Sequence, residues 1–484
     1  MSDRKLVWII LGFVLMAGVL LMPTPAGLSV AGQRVLAILI FAVTMWVSEA
    51  ISYPVSAIAI IAFMLIFLGF APPGTTPGPM LGTAKAIPVA LGGFINSGWV
   101  LVAAGLFMAA CILSTGLEKR VALTILRIVG TKTNNIFAGM ILVMLVFTFF
   151  IPSISARSAT ITPIAMGLIA AFKVDKKSQF ARSLLLCVAL SSSISGIGVL
   201  SGGAPNPVAA SFIAKVTGHT ITWMDWFCYG EPFALILSVI LYFFLTRMTK
   251  FEFDEVPGGK ETVAKELAVL GPMSASEKKI GIILLLTIVF WATEAVHKVD
   301  ANSVAVCSVL LMFFPYTGVA NWKDIVNRVD WGTILLFGAG ISLGEVLLSS
   351  GAAIWLAQHS LGALGVGAMA PFMMMVVITI ALVIIRIAFA SITSATAALI
   401  PTVLGFLMSL QNADLPVWGM ALVATYTVYF AFLLPVNAPQ SMIPYATGTF
   451  ETKDMSRMGL PLMIVSVGLL LLFYVTYWHW LGIV

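Results

Sequence analysis

The chain has 484 residues, of which 60% are hydrophobic and only 10% charged, with a formal net charge of +6. A soluble protein of this length has more water-facing surface than so few charges can cover, so the composition indicates a polytopic membrane protein. The positive balance reflects where basic residues sit relative to a bilayer, not a nucleic-acid partner.

The N-terminus, MSDRKLVWIILGFVLMAGVLLMPTPAG, has a basic start and a 17-residue apolar run. Pro23 and Pro25 follow that run in place of a small-residue cleavage site, so residues 1–30 read as a retained first span. Further runs of spanning length lie near 32–50, 54–72, 96–116, 181–215, 229–247, 279–296, 301–318, 332–350, 414–448 and 458–480. With the first they make eleven transmembrane helices in an all-α protein. Two other apolar stretches, 136–172 and 371–410, are longer and interrupted by small polar residues. The main polar connector, 248–278, reads as a cytoplasmic linker, with Ser274 and Glu277 at capping-box spacing before the next span.

With the N-terminus inside and the odd stretches returning to the side they leave, most basic residues collect on the inner face. Arg34, Lys85, Lys215 and Lys298 fall outside, and Arg157 and Arg386 stay within the membrane. That bias predicts a cytoplasmic N-terminus and an outer C-terminus, in an inner (plasma) membrane. Cys111, Cys187, Cys228 and Cys307 are scattered, and His219, His297, His359 and His479 have no ligand spacing. No metal site, disulfide framework or cofactor is expected, and no nucleotide-binding glycine motif is present.

The two halves resemble each other. WVSEA at 46–50 recurs as WATEA at 291–295, and LSTG at 113–116 as LSSG at 348–351. SISARSATITPIAMG at 153–167 recurs as SITSATAALIPTVLG at 391–405. The offsets are 245, 235 and 238, in order along the chain. Each unit, 31–247 and 279–484, holds five spans, and an odd number inserts the second copy upside down. Inverted repeats mark secondary transporters whose site lies where interrupted helices meet. The interrupted stretches then read as re-entrant hairpins, because irregular backbone at membrane depth must be buried or line a cavity.

The candidate site residues follow from the duplication. Ser153, Ile154 and Ser155 and their counterparts Ser391, Ile392 and Thr393 place hydroxyls and free N–H groups at helix N-termini, a cradle for a carboxylate. SGIGVLSGGAPNPVAA at 195–210 and LLPVNAPQSMIPYATG at 434–448 predict breaks in two spans, bringing Gly203, Pro205, Asn206, Asn437, Pro439 and Gln440 to the site. Arg157 and Arg386 are costly in a membrane and predict charge compensation for an anion, with Arg157 touching it. Glu345 is the acid expected to partner buried charge, and Glu49 and Glu294 of the repeated boxes read as interfacial anchors.

On the duplicated hairpin tips and the two Pro/Gly breaks in matching order, the chain resembles the divalent anion/sodium symporter family of carboxylate transporters, over essentially its whole length. The resemblance implies eleven transmembrane helices, two re-entrant hairpins, an elevator mechanism, a homodimer among lipid, and contact of Ser153, Ser155, Ser391 and Thr393 with substrate carboxylates. Sodium-coupled members carry Ser-Asn-Thr at both tips, where this chain has Ile154 and Ile392, and isoleucine offers no oxygen to a hard cation. Arg157 resembles the arginine of the family's exchangers. A fixed guanidinium cannot leave with the substrate, so an emptied carrier returns with bare buried charge unless it reloads. The expectation is sodium-independent exchange of di- or tricarboxylates (succinate, malate, fumarate, 2-oxoglutarate, tartrate or citrate). Its rivals are sodium-coupled symport on the same fold and, from a different class, an ion channel built on re-entrant loops.

Overall fold

The computed structural model describes residues 3–72, 78–255 and 259–484. The chain opens with α1 (Asp3–Leu21), which precedes the first expected repeat, followed by α2 (Val30–Ser48), α3 (Tyr53–Phe63, extended by a π-helical turn Met64–Leu68), α4 (Thr83–Ala90), α5 (Ser97–Thr115) and the amphipathic α6 (Leu117–Val129). A hairpin of α7 (Thr133–Phe150) and α8 (Ile154–Ala171) follows. Then come α9 (Gln179–Ser195) and α10 (Pro205–Thr217), two halves of one interrupted helix, and α11 (Trp223–Met248). After α12 (Gly259–Val269) the order recurs: α13 (Ala275–Ala292), α14 (Glu294–His297), α15 (Ala301–Phe313), α16 (Trp322–Ile325), α17 (Trp331–Ser349) and α18 (Ala352–Ala357). The second hairpin is α19 (Pro371–Arg386) and α20 (Ile392–Ser409), the second interrupted pair is α21 (Val417–Val428) and α22 (Pro439–Tyr445), and α23 (Thr452–Val475) and α24 (Tyr477–Trp480) end the chain.

The local causes are ordinary. Ser29, Asn96, Ser178 and Asp300 each accept a backbone N–H of the helix they precede, and the Ser274–Glu277 capping box is formed in both directions. The predicted hairpins at 136–172 and 371–410 are found at 133–171 and 371–409. Their arms of 16–18 residues are about 25 Å long at 1.5 Å per residue. Among the described residues nine helices are long and apolar enough to cross a membrane. Six of the nine are expected spans and three, α7, α8 and α20, are hairpin arms. The other five expected spans are the shorter α3 and α15, the two interrupted pairs, and α13, which carries Glu277, Lys278 and Lys279 in its first five residues, so eleven remains compatible.

The helices form two groups. The hairpins pack with the interrupted helices and with α11 and α23, whereas α2, α3, α5, α13, α15 and α17 pack with one another. The groups meet where α10 touches α5 and where α20 touches α17 and α18. Helix α1 lies at the rim against α2, with most of its surface exposed. The connector 248–278 is a docked element instead of a free linker. Glu252 accepts from the N–H groups of Gln179 and Phe180 at the start of α9, and Thr133 N donates to Asp254 O. Arg120 of α6 donates to Glu277 at 2.7 Å and to the carbonyls of Leu270 and Gly271.

Candidate substrate-binding site

Two breaks and two hairpin turns converge in the interior. The first break, residues 196–204, separates α9 from α10, and the second, residues 429–438, separates α21 from α22. Pro205 and Pro439 each open the second half-helix, where the absent N–H costs nothing. The hairpin turns end on Ser153 and Ser391, which cap α8 and α20 by accepting from Ala156 N and Ser394 N. The N–H groups of Ile154 and Ser155, and of Ile392 and Thr393, take no protein partner and remain for a ligand.

These parts enclose a cavity of ≈ 230 Å³. Ser153, Ile154, Ser155, Ser391, Ile392, Thr393, Gly203, Pro205, Pro439 and Gln440 all line it. Its volume is below the ~300–1,000 Å³ of drug-sized sites and suits a small ligand. No lysine or arginine lines it. The anion attraction it offers is that of two helix N-termini, their free N–H groups and hydroxyls, backed by charge behind the walls.

The structure corrects the reading of Arg157, Asn206 and Asn437, none of which lines the cavity. Arg157 is fully buried behind the first turn, where its Nη1 donates to Ile151 O at 2.7 Å and Gly202 O at 2.6 Å. Its Nε and Nη2 have no partner. Arg386 is buried behind the second turn and donates to Val428 O, Phe389 O and Asn437 O. The asparagines are spent on the breaks. Asn206 Nδ2 donates to Gly196 O and Val199 O, and its Oδ1 accepts from Tyr429. Asn437 Nδ2 donates to Ile387 O, and its Oδ1 accepts from Leu434 N. The reason is shared: unwinding a helix frees carbonyls, and a buried carbonyl must find a donor.

That arrangement also tests the site for sodium. A hard cation needs several converging oxygens. Eight of the carbonyls at the turns and breaks are already bonded by guanidinium and amide groups. At the first tip the remaining space holds the Ile154 side chain, packed against Gly196 and Gly203. Neither the Ile154 nor the Ile392 side chain offers an oxygen to such an ion.

The acids fall elsewhere. Glu345 pairs with Lys215 at 2.7 Å and accepts from Asn96, so its partner is neither arginine. Glu49 accepts from Tyr53 at 2.9 Å, and Glu294 lies outside the cavity. Sequence reasoning missed a whole wall of the site, formed by Tyr53, Leu101, Asp330, Thr333 and Phe337 of α3, α5 and α17. Only Asp330 and Thr333 carried a signal, as an N-cap pair, and Asp330 does accept from Thr333 N.

The model of the sodium:sulfate symporter transmembrane region matches residues 3–484. This chain belongs to the divalent anion/sodium symporter family. It is a transporter and not an enzyme. A Cupriavidus necator protein described as a membrane protein is 43% identical over 465 residues, covering 96% of this chain and 90% of its own. Proteins named sodium-dependent dicarboxylate transporter SdcS are 27% identical in Staphylococcus saprophyticus and 28% in Staphylococcus aureus, covering 97% of this chain and 90% and 91% of theirs. Among solved structures, the Alcanivorax borkumensis YdaH transporter superposes with a TM-score of 0.58 at 10% identity, over 87% of this chain and 98% of its own. Neisseria gonorrhoeae MtrF superposes at 0.52 and 12% identity, over 89% and 96%. Those two likenesses concern the fold alone.

Proposed function

We propose that this family member is a secondary transporter of small di- or tricarboxylates that works by obligate, sodium-independent exchange in an inner membrane. The observation that carries the reading is the pairing of two Ser-x-Ser/Thr tips around one small cavity with two buried guanidinium groups that, among the described residues, make no ion pair. A unit charge ~8 Å from a carboxylate, at an effective dielectric near 20, contributes about 2 kcal/mol of attraction. Each tip then takes one carboxylate through its hydroxyls and free N–H groups, while Arg157 and Arg386 supply the fixed charge from behind. With the anion bound the interior approaches neutrality. Emptied, the same unit holds two unpaired cations, and its crossing is opposed by their desolvation. Reloading with another anion restores the return.

The hairpins and interrupted helices form the moving unit of an elevator, and α2, α3, α5, α13, α15 and α17 the fixed one, in a homodimer held among lipid with the N-terminus in the cytoplasm. The second reading is sodium-coupled symport, favoured by the names of the staphylococcal relatives. The test is uptake of labelled succinate into proteoliposomes that are preloaded with succinate or empty, each with and without a sodium gradient. Uptake only into preloaded vesicles, indifferent to sodium, is expected. Sodium-driven uptake into empty vesicles overturns exchange in favour of symport.

A further inference from the structure

Packed on the first break, and not among the residues that line the cavity, is Glu231 of α11. Its side chain is buried, at 6% exposure, and Oε2 has no hydrogen-bond partner. It packs so closely on the break that a Cβ on Gly198 would overlap Oε2. Gly230, its neighbour, lies under Ile197 O and beside the Tyr426 hydroxyl, which is also buried and unpartnered.

An ionised carboxylate in this position is expensive. Desolvation costs several kcal/mol per ion unless a partner charge or several donors replace water. The elements packed on α11 are α7, α9, α13, α21, α23 and α24 with the first break. The titratable groups they and α11 bring near are Asp225, Cys228, Tyr229, Tyr426, Tyr429, Tyr474 and Tyr477. The basic group on that break, Arg157, is bonded to Gly202 O, and among the described residues no ion pair or hydrogen bond reaches Oε2 of Glu231. The remaining way to neutralise the group is to bind a proton.

We propose that Glu231 is a proton-binding site linked to the anion site across the first break. The statement rests on the carboxylate reading of the cavity. With the proton bound, the break carries a neutral acid and the positive field of Arg157 acts undiminished on the cavity. With the proton lost to water, a negative charge stands against the same backbone segment that presents Gly203 to the ligand. At an effective dielectric near 20, a unit charge ~10 Å away weakens binding by roughly tenfold for each carboxylate at that distance. By reciprocity, a bound dianion raises the hold on the proton by the same factor. Glu231 lies eight residues along α11 from Trp223, so the proton travels about 12 Å from that helix end.

The experiment uses the full chain in lipid nanodiscs, from neutral to alkaline pH, where succinate stays fully ionised. Infrared spectra of wild type minus Glu231→Gln should show the carbonyl stretch of a protonated carboxylic acid at neutral pH, lost on alkalinisation. Equilibrium binding of labelled succinate to wild type should weaken by about tenfold or more over the same range. Binding to Glu231→Gln, which is neutral throughout, should stay flat. Parallel weakening in both proteins, or no protonated-acid band at neutral pH, overturns the proposal. Should neither protein bind succinate while the band is present and titrates, the carboxylate reading fails and the linkage with it, leaving the proton site alone. Should the Gln variant not fold, the pH-dependent band of wild type and the pH profile of Glu231→Asp, displaced instead of abolished, decide in its place.

Discussion

Arg157 and Arg386 stand at different positions in their hairpins yet clasp equivalent carbonyls. Arg157 lies on the second arm and holds Ile151 O and Gly202 O. Arg386 ends the first arm and holds Phe389 O and Asn437 O. Ile151 and Phe389 are 238 residues apart, and Gly202 and Asn437 are 235 apart, the same offsets that relate the repeated motifs. The position matching Arg386 in the first repeat is Thr148, whose hydroxyl donates to Ser195 O. A cation from a different arm of the hairpin thus stands between turn and break in each half.

Arg157→Ala should therefore do two things at once. It removes fixed charge from behind the first tip and leaves Ile151 O and Gly202 O without a donor. Sodium-free succinate exchange should fall at least about tenfold, the equivalent of ~1.4 kcal/mol, while the protein still elutes as a folded species. Ile154→Asn alone should not create sodium dependence, because Arg157 and Asn206 still hold the carbonyls. The double variant Ile154→Asn with Arg157→Ala frees them, and its uptake should become sodium-responsive. Normal sodium-free exchange by Arg157→Ala would sink the idea that this guanidinium replaces a cation.

Gly203→Ala tests the close approach of tip and breaks. The added Cβ would lie 2.5 Å from the Tyr429 hydroxyl and 3.0 Å from Ile154 Cδ1. The Tyr429 hydroxyl already donates to Asn206 at 2.6 Å and is not free to withdraw. A loss of about 1–3 kcal/mol is expected, read as a lowered thermal midpoint in detergent, together with weaker succinate binding. An unchanged midpoint would mean that the segment relaxes more easily than its packing indicates.

The Lys215–Glu345 pair joins α10 to α17, and so one helix group to the other. The Lys215 side chain is about half exposed, which limits the pair to ~0–1 kcal/mol. Lys215→Ala should change the initial exchange rate by about fivefold at most and leave succinate affinity intact. Complete loss of exchange would show that Lys215 does more than bias the resting position of α10.

Glu118 at the start of α6 gives a pH signature outside the membrane. Burial, with the charge of Glu277 as a lesser cause, pushes its carboxyl up to about 7. The unfolded chain, with an ordinary value of about 4.3, loses that proton earlier. The folded state therefore binds more protons between those values, and stability falls as pH rises from about 4.3 to about 7, then levels. Glu118→Gln should flatten this part of the profile, measured as thermal midpoints at roughly pH 5 and pH 8. An unchanged slope would place its origin in another group.

Much of this was legible from pattern. Hairpins and breaks announce themselves because Ser, Pro and Gly inside apolar runs have few other uses, and because the second copy repeats the first at a fixed offset. What side chains do at depth was not legible. Arg157 and Asn206 lie in the right motifs but turn to the carbonyls those motifs release, a choice made by tertiary packing and invisible to spacing. The wall from Tyr53 to Asp330 escaped for the same reason: its residues are ordinary helix starts until another helix group is laid against them. The connector's charges suggested a solvated linker, yet Arg120 and Glu252 dock it to helix ends.

Neither repeat owns the cavity. Ser153 and Gly203 come from the first, Ser391 and Pro439 from the second, so each half of the chain carries half of one receptor. During synthesis the pocket does not exist until Gln440 has emerged, some nine-tenths of the way along. A ligand in the cytoplasm can therefore neither template the first half nor rescue it. That half has to be inserted and wait for a complement the ribosome has yet to make.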